Sequence, residues 1–255
     1  MGKRSDTGGK KLGNGQCWTE AKKRKIQNFA DIVISFRGTE PKSLKDWVDD
    51  FKFAKKSPYS ACSGCELHEG FYDAYMALKS QIVSGLKDLG VTSSTPLHIT
   101  GHSLGAAMAT VCAFDLNKDG YTVSQGFTFG EPRIGNKALA DMFTSRIGDS
   151  TIYRVTHWRD PVPHVPLELM GFHHVPREVW YNSNSSSYQV CDGSGEDDKC
   201  SDQLDFDISV SDHLHYINIP ISGSCDSDKF SFNTPEDFKV LEDAAVEELK
   251  KRQQS

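Results

Sequence analysis

Gly101-His102-Ser103-Leu104-Gly105 sets a serine between two glycines, directly after the apolar run Leu97 to Thr100. A strand that turns this abruptly into a helix forces the central residue into a strained backbone conformation, and glycine on either side lets the flanking chain pass without a Cβ clash. The serine hydroxyl is then presented at the carboxyl edge of a sheet. Ala106 to Leu116, with Met108, Val111, Cys112 and Phe114, reads as a helix of small and apolar residues, so the strand-turn-helix context of a nucleophile elbow is complete.

Working outward, Ile32-Val33-Ile34-Ser35-Phe36 is a β-branched run suited to a buried strand that ends at Arg37-Gly38-Thr39. Leu44, Trp47, Val48 and Phe51 recur at helical spacing among Lys and Asp residues, which predicts a short amphipathic helix. Tyr72 to Leu89 repeats the helical pattern, Gln125 to Phe129 and Ile152 to Thr156 read as strands, and Tyr216 to Ile221 as a late one. Strands alternating with helices predict an α/β fold with a mostly parallel central sheet and helices on both faces. Thr234 as N-cap and Pro235 at the first helical position precede Phe238, Leu241, Val246 and Leu249, which predicts a C-terminal helix within 233–255, packed on the outside. Asn182 to Ser187 and the acidic stretch after it read as solvated excursions.

Length and composition point to one large soluble domain. The chain has 255 residues, 37% hydrophobic and 25% charged, with no apolar run of membrane-spanning length. A net charge of -6 gives no reason to expect a nucleic-acid partner. Cys62-Ser63-Gly64-Cys65 and the pair Cys191 and Cys200 close short polar loops and read as disulfides, whereas Cys112 within the apolar helix reads as an inert core thiol. No zinc or redox context surrounds Cys62 and Cys65, so neither a metal nor a cofactor is expected. This cysteine usage points to an extracellular setting, in which the Asn184-Ser185-Ser186 acceptor would carry a glycan. Met1 to Gln27, by contrast, is basic, glycine-rich and without the apolar centre of a signal peptide.

A serine hydroxyl is a poor nucleophile at neutral pH, and needs a histidine to take its proton and an acid to orient that imidazole. In elbow-bearing α/β folds the order along the chain is serine, acid, histidine. Asp160 follows the strand ending near Thr156, at the edge where Ser103 is presented, in a loop stiffened by Pro161 and Pro163. Five histidines follow it: His164, His173, His174, His213 and His215. His164 is tethered too near the acid to reach the serine from its other side. His213, just before the last strand-like segment, can reach back over the site, and the others keep ordinary structural readings.

Taken together, Phe36-Arg37-Gly38-Thr39, His68-Glu69-Gly70-Phe71, Gly101 to Ala107, Phe129-Gly130-Glu131-Pro132-Arg133, Arg154-Val155-Thr156-His157 with Asp160, and Asp212-His213-Leu214 resemble the fungal-type, or class 3, lipases over about Ile32 to Cys225. The cysteine loops resemble those of filamentous-fungal feruloyl esterases and their lipase relatives. The resemblance implies an α/β-hydrolase domain over 29–232 behind an irregular polar leader over 1–28. It implies Ser103 as nucleophile, Asp160 as acid and His213 as base. Thr39 and Leu104 would form the oxyanion hole, with Asp50 supporting the Thr39 hydroxyl. Glu40 to Asp49 would be a lid, and Leu44, Trp47 and Val48 in it, with Phe51 just after it, would form an apolar face that covers a hydrophobic cleft and turns toward a lipid-water interface. Serine-dependent ester hydrolysis follows, of acylglycerols first and of feruloyl or short-chain esters as the alternative. A non-catalytic lipid-binding protein is the reading of another class. In the family a helix and strands precede the Phe36-Arg37-Gly38 region and the counterpart of Cys225 bridges to that segment, whereas here a charged leader containing Cys17 occupies the space.

Overall fold

The computed structural model describes residues 24–26, 29–39, 53–203 and 209–221. The expected lid with Leu44, Trp47, Val48 and Phe51, the supporting Asp50, residues Cys17 and Cys225, and the expected C-terminal helix lie outside the described residues.

A sheet of seven strands forms the frame. In chain order the elements are β1 (Arg24–Ile26), β2 (Phe29–Phe36), β3 (Lys55–Lys56), β4 (Leu67–His68), α1 (Glu69–Asp88), β5 (Pro96–His102), α2 (Leu104–Lys118), β6 (Thr122–Phe129), α3 (Lys137–Ile147), β7 (Ile152–His157), β8 (Glu178–Tyr181), β9 (Tyr188–Val190), α4 (Val210–His213), β10 (His215–Tyr216) and β11 (Ile219–Pro220). The sheet runs β1-β2-β5-β6-β7-β8-β9. The strands from β2 to β8 are parallel, and β1 and β9 are antiparallel edges. β1 falls inside the stretch read from sequence as an irregular leader.

Because the parallel strands follow one another in sequence order, right-handed crossovers carry every connecting helix to the same side. Residues of one register, Ile32-Leu97-Val123 and Ile34-Ile99-Gly126-Ile152, face α1, α2 and α3 and form the core with Tyr75, Leu86, Phe114, Leu139 and Phe143. Among the described residues, the three long helices share one face of the sheet. α2 lies deepest, with every residue from Gly105 to Leu116 buried, and its alanines 106, 107, 109 and 113 let it sit close on the sheet. No described helix is long and apolar enough to cross a membrane.

Three local expectations also change. Tyr216 to Ile221 is a separate hairpin, β10-β11, because Ile217 and Asn218 both take positive φ (53° and 58°), the conformation of a tight two-residue turn. His213 sits at the end of the short helix α4, which Ser209 caps by accepting from Asp212 N, rather than on a loop. The acidic stretch after Asn182 to Ser187 is not simply solvated: Asp197 is buried, and Glu196 makes two hydrogen bonds with the buried Arg133. Cys62–Cys65 and Cys191–Cys200 are disulfides with Cα separations of 5.5 and 6.2 Å. Cys112 is buried and free.

Candidate active site

The turn from β5 into α2 places Ser103 at φ 57°, ψ −129°, outside the regions that L-residues favour. The neighbouring glycines are sterically required. A Cβ on Gly101 would overlap the Gly105 carbonyl, and one on Gly105 would overlap the Phe36 carbonyl. Ser103 N donates to Phe129 O at 2.9 Å, which ties the elbow to the end of β6. Ser103 is only 1% exposed, and its Oγ has no hydrogen-bond partner.

Asp160 follows β7 at the same rim. Its carboxylate accepts from Val162 N at 2.8 Å, from His213 Nδ1 at 2.8 and 2.9 Å, and from the Tyr216 hydroxyl. Burial alone would raise the pKa of this carboxyl. The opposing His213 charge, followed by the hydrogen bonds from His213, Tyr216 and Val162, outweighs it and holds Asp160 below the ordinary carboxylate range. Burial, and then the Asp160 charge, keep the Tyr216 phenol protonated, so that it remains a donor. With Nδ1 turned to Asp160, the position left to accept a proton is Nε2, which is buried and without a hydrogen-bond partner.

Contacts from neighbouring strands hold the His213 segment. His102 Nε2 lies 2.7 Å from the His213 carbonyl, and the two rings are 4.4 Å apart. Burial, followed by proximity to His213, pushes the pKa of His102 down to about 3, so the ring is neutral at pH 7 and donates through Nε2–H. His157 Nδ1 lies 3.0 Å from Asp212 O, and Arg159 O accepts from Ser209 N at 2.7 Å. His164, His173, His174 and His215 are all engaged elsewhere, with Asp202, Ser194 O, Pro163 O and Ser211 O respectively.

Sequence reasoning missed Gly130, which follows the strand end that pairs with the elbow. Its φ is 56°, and a Cβ there would lie 2.7 Å from Asp160 Oδ2 and 2.8 Å from His213 Nδ1. Only a residue without a side chain leaves room for that ion pair. A glycine directly after an apolar strand was the available signal. Likewise, a Cβ on Gly38 would lie 3.2 Å from Ser103 Cβ, so the Arg37-Gly38-Thr39 loop runs against the elbow. Thr39, the next residue of that loop, has a buried Oγ1 with no hydrogen-bond partner.

The arrangement thus unites Ser103, Asp160 and His213 at one rim, with Thr39 and Leu104 adjacent. A hydroxyl, an imidazole with a buried, unpartnered Nε2 and a buried carboxylate can together pass a proton from serine to histidine while the acid stabilises the imidazolium.

Comparison with known proteins gives the same direction. The family model described as "Lipase (class 3)" matches residues 33–170. The chain is 37% identical over 171 residues to the secreted mono- and diacylglycerol lipase A of Penicillium cyclopium, covering 64% of this chain and 53% of that protein. It is 36% identical over 194 residues to a lipase of Rhizomucor miehei, covering 74% and 52%. The chain therefore spans about half the length of the curated relatives it matches. Among solved structures, the Rhizomucor miehei triacylglyceride lipase superposes with a TM-score of 0.68 at 34% identity, over 75% of this chain and 73% of that one.

Proposed function

The chain belongs to the class 3 lipase family and has the α/β-hydrolase fold, and from that premise we propose that it is a serine-dependent carboxylic ester hydrolase acting on acylglycerols. The observation that carries the reading is the His213 Nδ1–Asp160 contact of 2.8 Å, which leaves Nε2 as the proton acceptor at the rim where Ser103 is presented.

In this reading the Ser103 hydroxyl proton moves to His213 Nε2 as Oγ bonds to the ester carbonyl carbon. The carbonyl electrons become an oxyanion, held by the backbone N–H groups of Leu104 and Thr39, each worth about 3 kcal/mol of transition-state stabilisation. As the tetrahedral centre collapses, the alcohol leaves with the proton from His213. Water then repeats the sequence on the acyl-enzyme, releasing the carboxylic acid and returning the proton to Ser103. Asp160 stays ionised throughout and stabilises the imidazolium. Ser103, Asp160 and His213 are proposed as catalytic residues and Thr39 and Leu104 as oxyanion donors from their place at the elbow, whereas Asp50 as support for Thr39 and Leu44, Trp47, Val48 and Phe51 as a lid that meets the lipid-water interface are proposed from the family resemblance alone.

Acylglycerols are favoured because relatives at this identity are named as mono- and diacylglycerol lipases, and a triacylglyceride lipase superposes on the sheet. An extracellular setting is favoured by the two disulfides and by relatives named as secreted. The test is turnover of emulsified mono-, di- and triacylglycerols beside methyl ferulate and p-nitrophenyl butyrate, with phosphonate labelling of Ser103. We expect acylglycerol cleavage and stoichiometric labelling. Cleavage of methyl ferulate with emulsions untouched would reassign the substrate. A folded protein that resists labelling would instead be a non-catalytic lipid binder.

A further inference from the structure

Asn184-Ser185-Ser186 is the one Asn-x-Ser/Thr triplet in the chain, and the fold sets it on the turn from β8 to β9, at the outer edge of the sheet. Two asparagines share that turn, and their carboxamides do different things. Asn182 points inward: its Oδ1 accepts from Ser186 N at 2.9 Å and Ser187 N at 3.2 Å, and its Nδ2 donates to Ser186 Oγ at 3.2 Å. Asn184 is exposed, with Oδ1 accepting from Ser186 N at 3.1 Å, and among the described residues nothing accepts from its Nδ2. Asn182 therefore builds the turn, while Asn184 offers its amide nitrogen to solvent. An exposed asparagine amide with a hydroxyl two residues further on is the acceptor that N-linked sugar transfer requires.

The same turn adjoins a strand that lacks a cover. β9 ends the sheet and all three of its residues are exposed, Tyr188 by 62% and Val190 by 52%. Asn182 N donates to Ser187 O and Cys191 N to Glu178 O, so the alternation of an antiparallel pair turns the N–H and C=O groups of Tyr188 and Val190 away from β8, toward the open edge. Tyr188 packs on Tyr181 with ring centroids 5.3 Å apart, and β9 carries no Lys, Pro or bulge of the kind that blunts an edge. Such an edge is a template for a strand of a second copy. A bulky, hydrated sugar chain rooted at Asn184 would stand across that approach.

We propose that Asn184 carries an N-linked oligosaccharide, and that this glycan shields the β9 edge from pairing with another copy of the chain. The proposal rests on the extracellular reading, because the sugar donor, an oligosaccharide on a polyprenyl pyrophosphate, is met on the export route. In the transfer Asn184 Nδ2 bonds to C1 of the first sugar, the C1–O bond breaks with its electron pair leaving on the pyrophosphate, and the amide gives one proton to a base of the transferase. For the test, the full chain is translated into microsomes behind a cleavable export signal, and the lumenal product is treated with peptide N-glycosidase in heavy-oxygen water and mapped by mass spectrometry. The expected result is a heavy-oxygen aspartate at position 184, lost in Asn184→Gln and equally in Ser186→Ala, which keeps the asparagine. An unmodified Asn184 in the lumenal chain would overturn the proposal. Since the added signal drives export, that outcome is distinct from failure of the extracellular reading, which would show as native protein confined to the cell. In sedimentation equilibrium, sugar-free Asn184→Gln should self-associate at least several-fold more tightly than the glycosylated chain, and adding Val190→Lys should restore the monomer. Equal association with and without the glycan would overturn the shielding.

Discussion

Two buried polar clusters flank the segment from Asp160 to Pro166, one around Ser103 and His213 and the other around Arg133, and they differ in what is left unpaired. Around Arg133 every guanidinium nitrogen is used. Nε and Nη2 grip Glu196 at 3.0 and 2.7 Å, Nη1 donates to the carbonyls of His164 and Pro166 at 2.9 and 3.2 Å, and Nη2 also reaches Asp202 at 3.3 Å. On the other side, Asp160 is saturated by Val162 N, His213 and Tyr216, yet Ser103 Oγ and His213 Nε2 are buried without partners. A buried polar atom without a partner costs about 1–3 kcal/mol, so two of them in one place mark where the fold keeps capacity for a reacting group. The saturated cluster spends its donors on fixing the loop that carries the acid. The contrast lies between the saturated guanidinium and the free Ser103 and His213 atoms rather than between whole clusters, since His174, which donates its backbone N–H to Glu196 at 2.7 Å, also leaves a buried Nδ1 without a partner.

The largest effect should come from the unpaired side. Ser103→Ala should lower kcat/KM on p-nitrophenyl butyrate by about 10⁶-fold with the melting temperature kept, as expected for loss of a nucleophile that acts as a unit with its base. Asp160→Asn should cost about 10⁴-fold, because an amide cannot stabilise the imidazolium and favours the wrong tautomer. Both are read by steady-state kinetics beside a thermal melt. Arg133→Ala should break the comparison in the opposite sense. It leaves Glu196 and Asp202 without their cation and should cost about 3–5 kcal/mol in denaturant unfolding, with kcat/KM per folded molecule changed far less than in the two preceding variants.

Gly130→Ala joins the two regions. Its added methyl group would intrude on the Asp160–His213 contact, so kcat/KM should fall about 10²-fold while KM changes little. Glu131 lies outside the site, and its expected effect is on stability alone. Its carboxyl is fully buried, accepts from Thr110 Oγ1 at 2.9 Å, and is pushed up to about 7 by burial. An acid raised in the folded state is protonated there while the unfolded chain is already ionised, so stability falls as pH rises from about 4.5 to about 7 and stays lowered above it. Glu131→Gln should therefore flatten that slope and add up to about 3 kcal/mol at pH 8, measured as unfolding free energy at pH 5 and pH 8.

Much of the site was legible because its geometry is encoded locally. Glycines around Ser103 are demanded by overlaps with the Gly105 and Phe36 carbonyls, and a strand-turn-helix pattern needs only a dozen residues to be seen. Asp160 was legible for a similar reason, being the first acid after an apolar strand. The histidine was legible less directly: five candidates follow, His213 stood out by its place before the last strand-like segment and by the family resemblance, and the hydrogen-bond partners of each then tell them apart. The role of Gly130 was hidden, because the groups it makes room for come from residues 160 and 213.

The sequence by itself determined the alternation of strands and helices, the elbow and the small-residue helix behind it, because hydrophobic period and glycine sterics act over a few neighbouring residues. Only the tertiary structure decided the contacts by which His213 meets Asp160, that Arg133 locks the back of the acid's loop, and that the described helices share one face. Those outcomes depend on strand order and on contacts between residues 50 and more positions apart, where chain connectivity rather than local preference sets which groups meet.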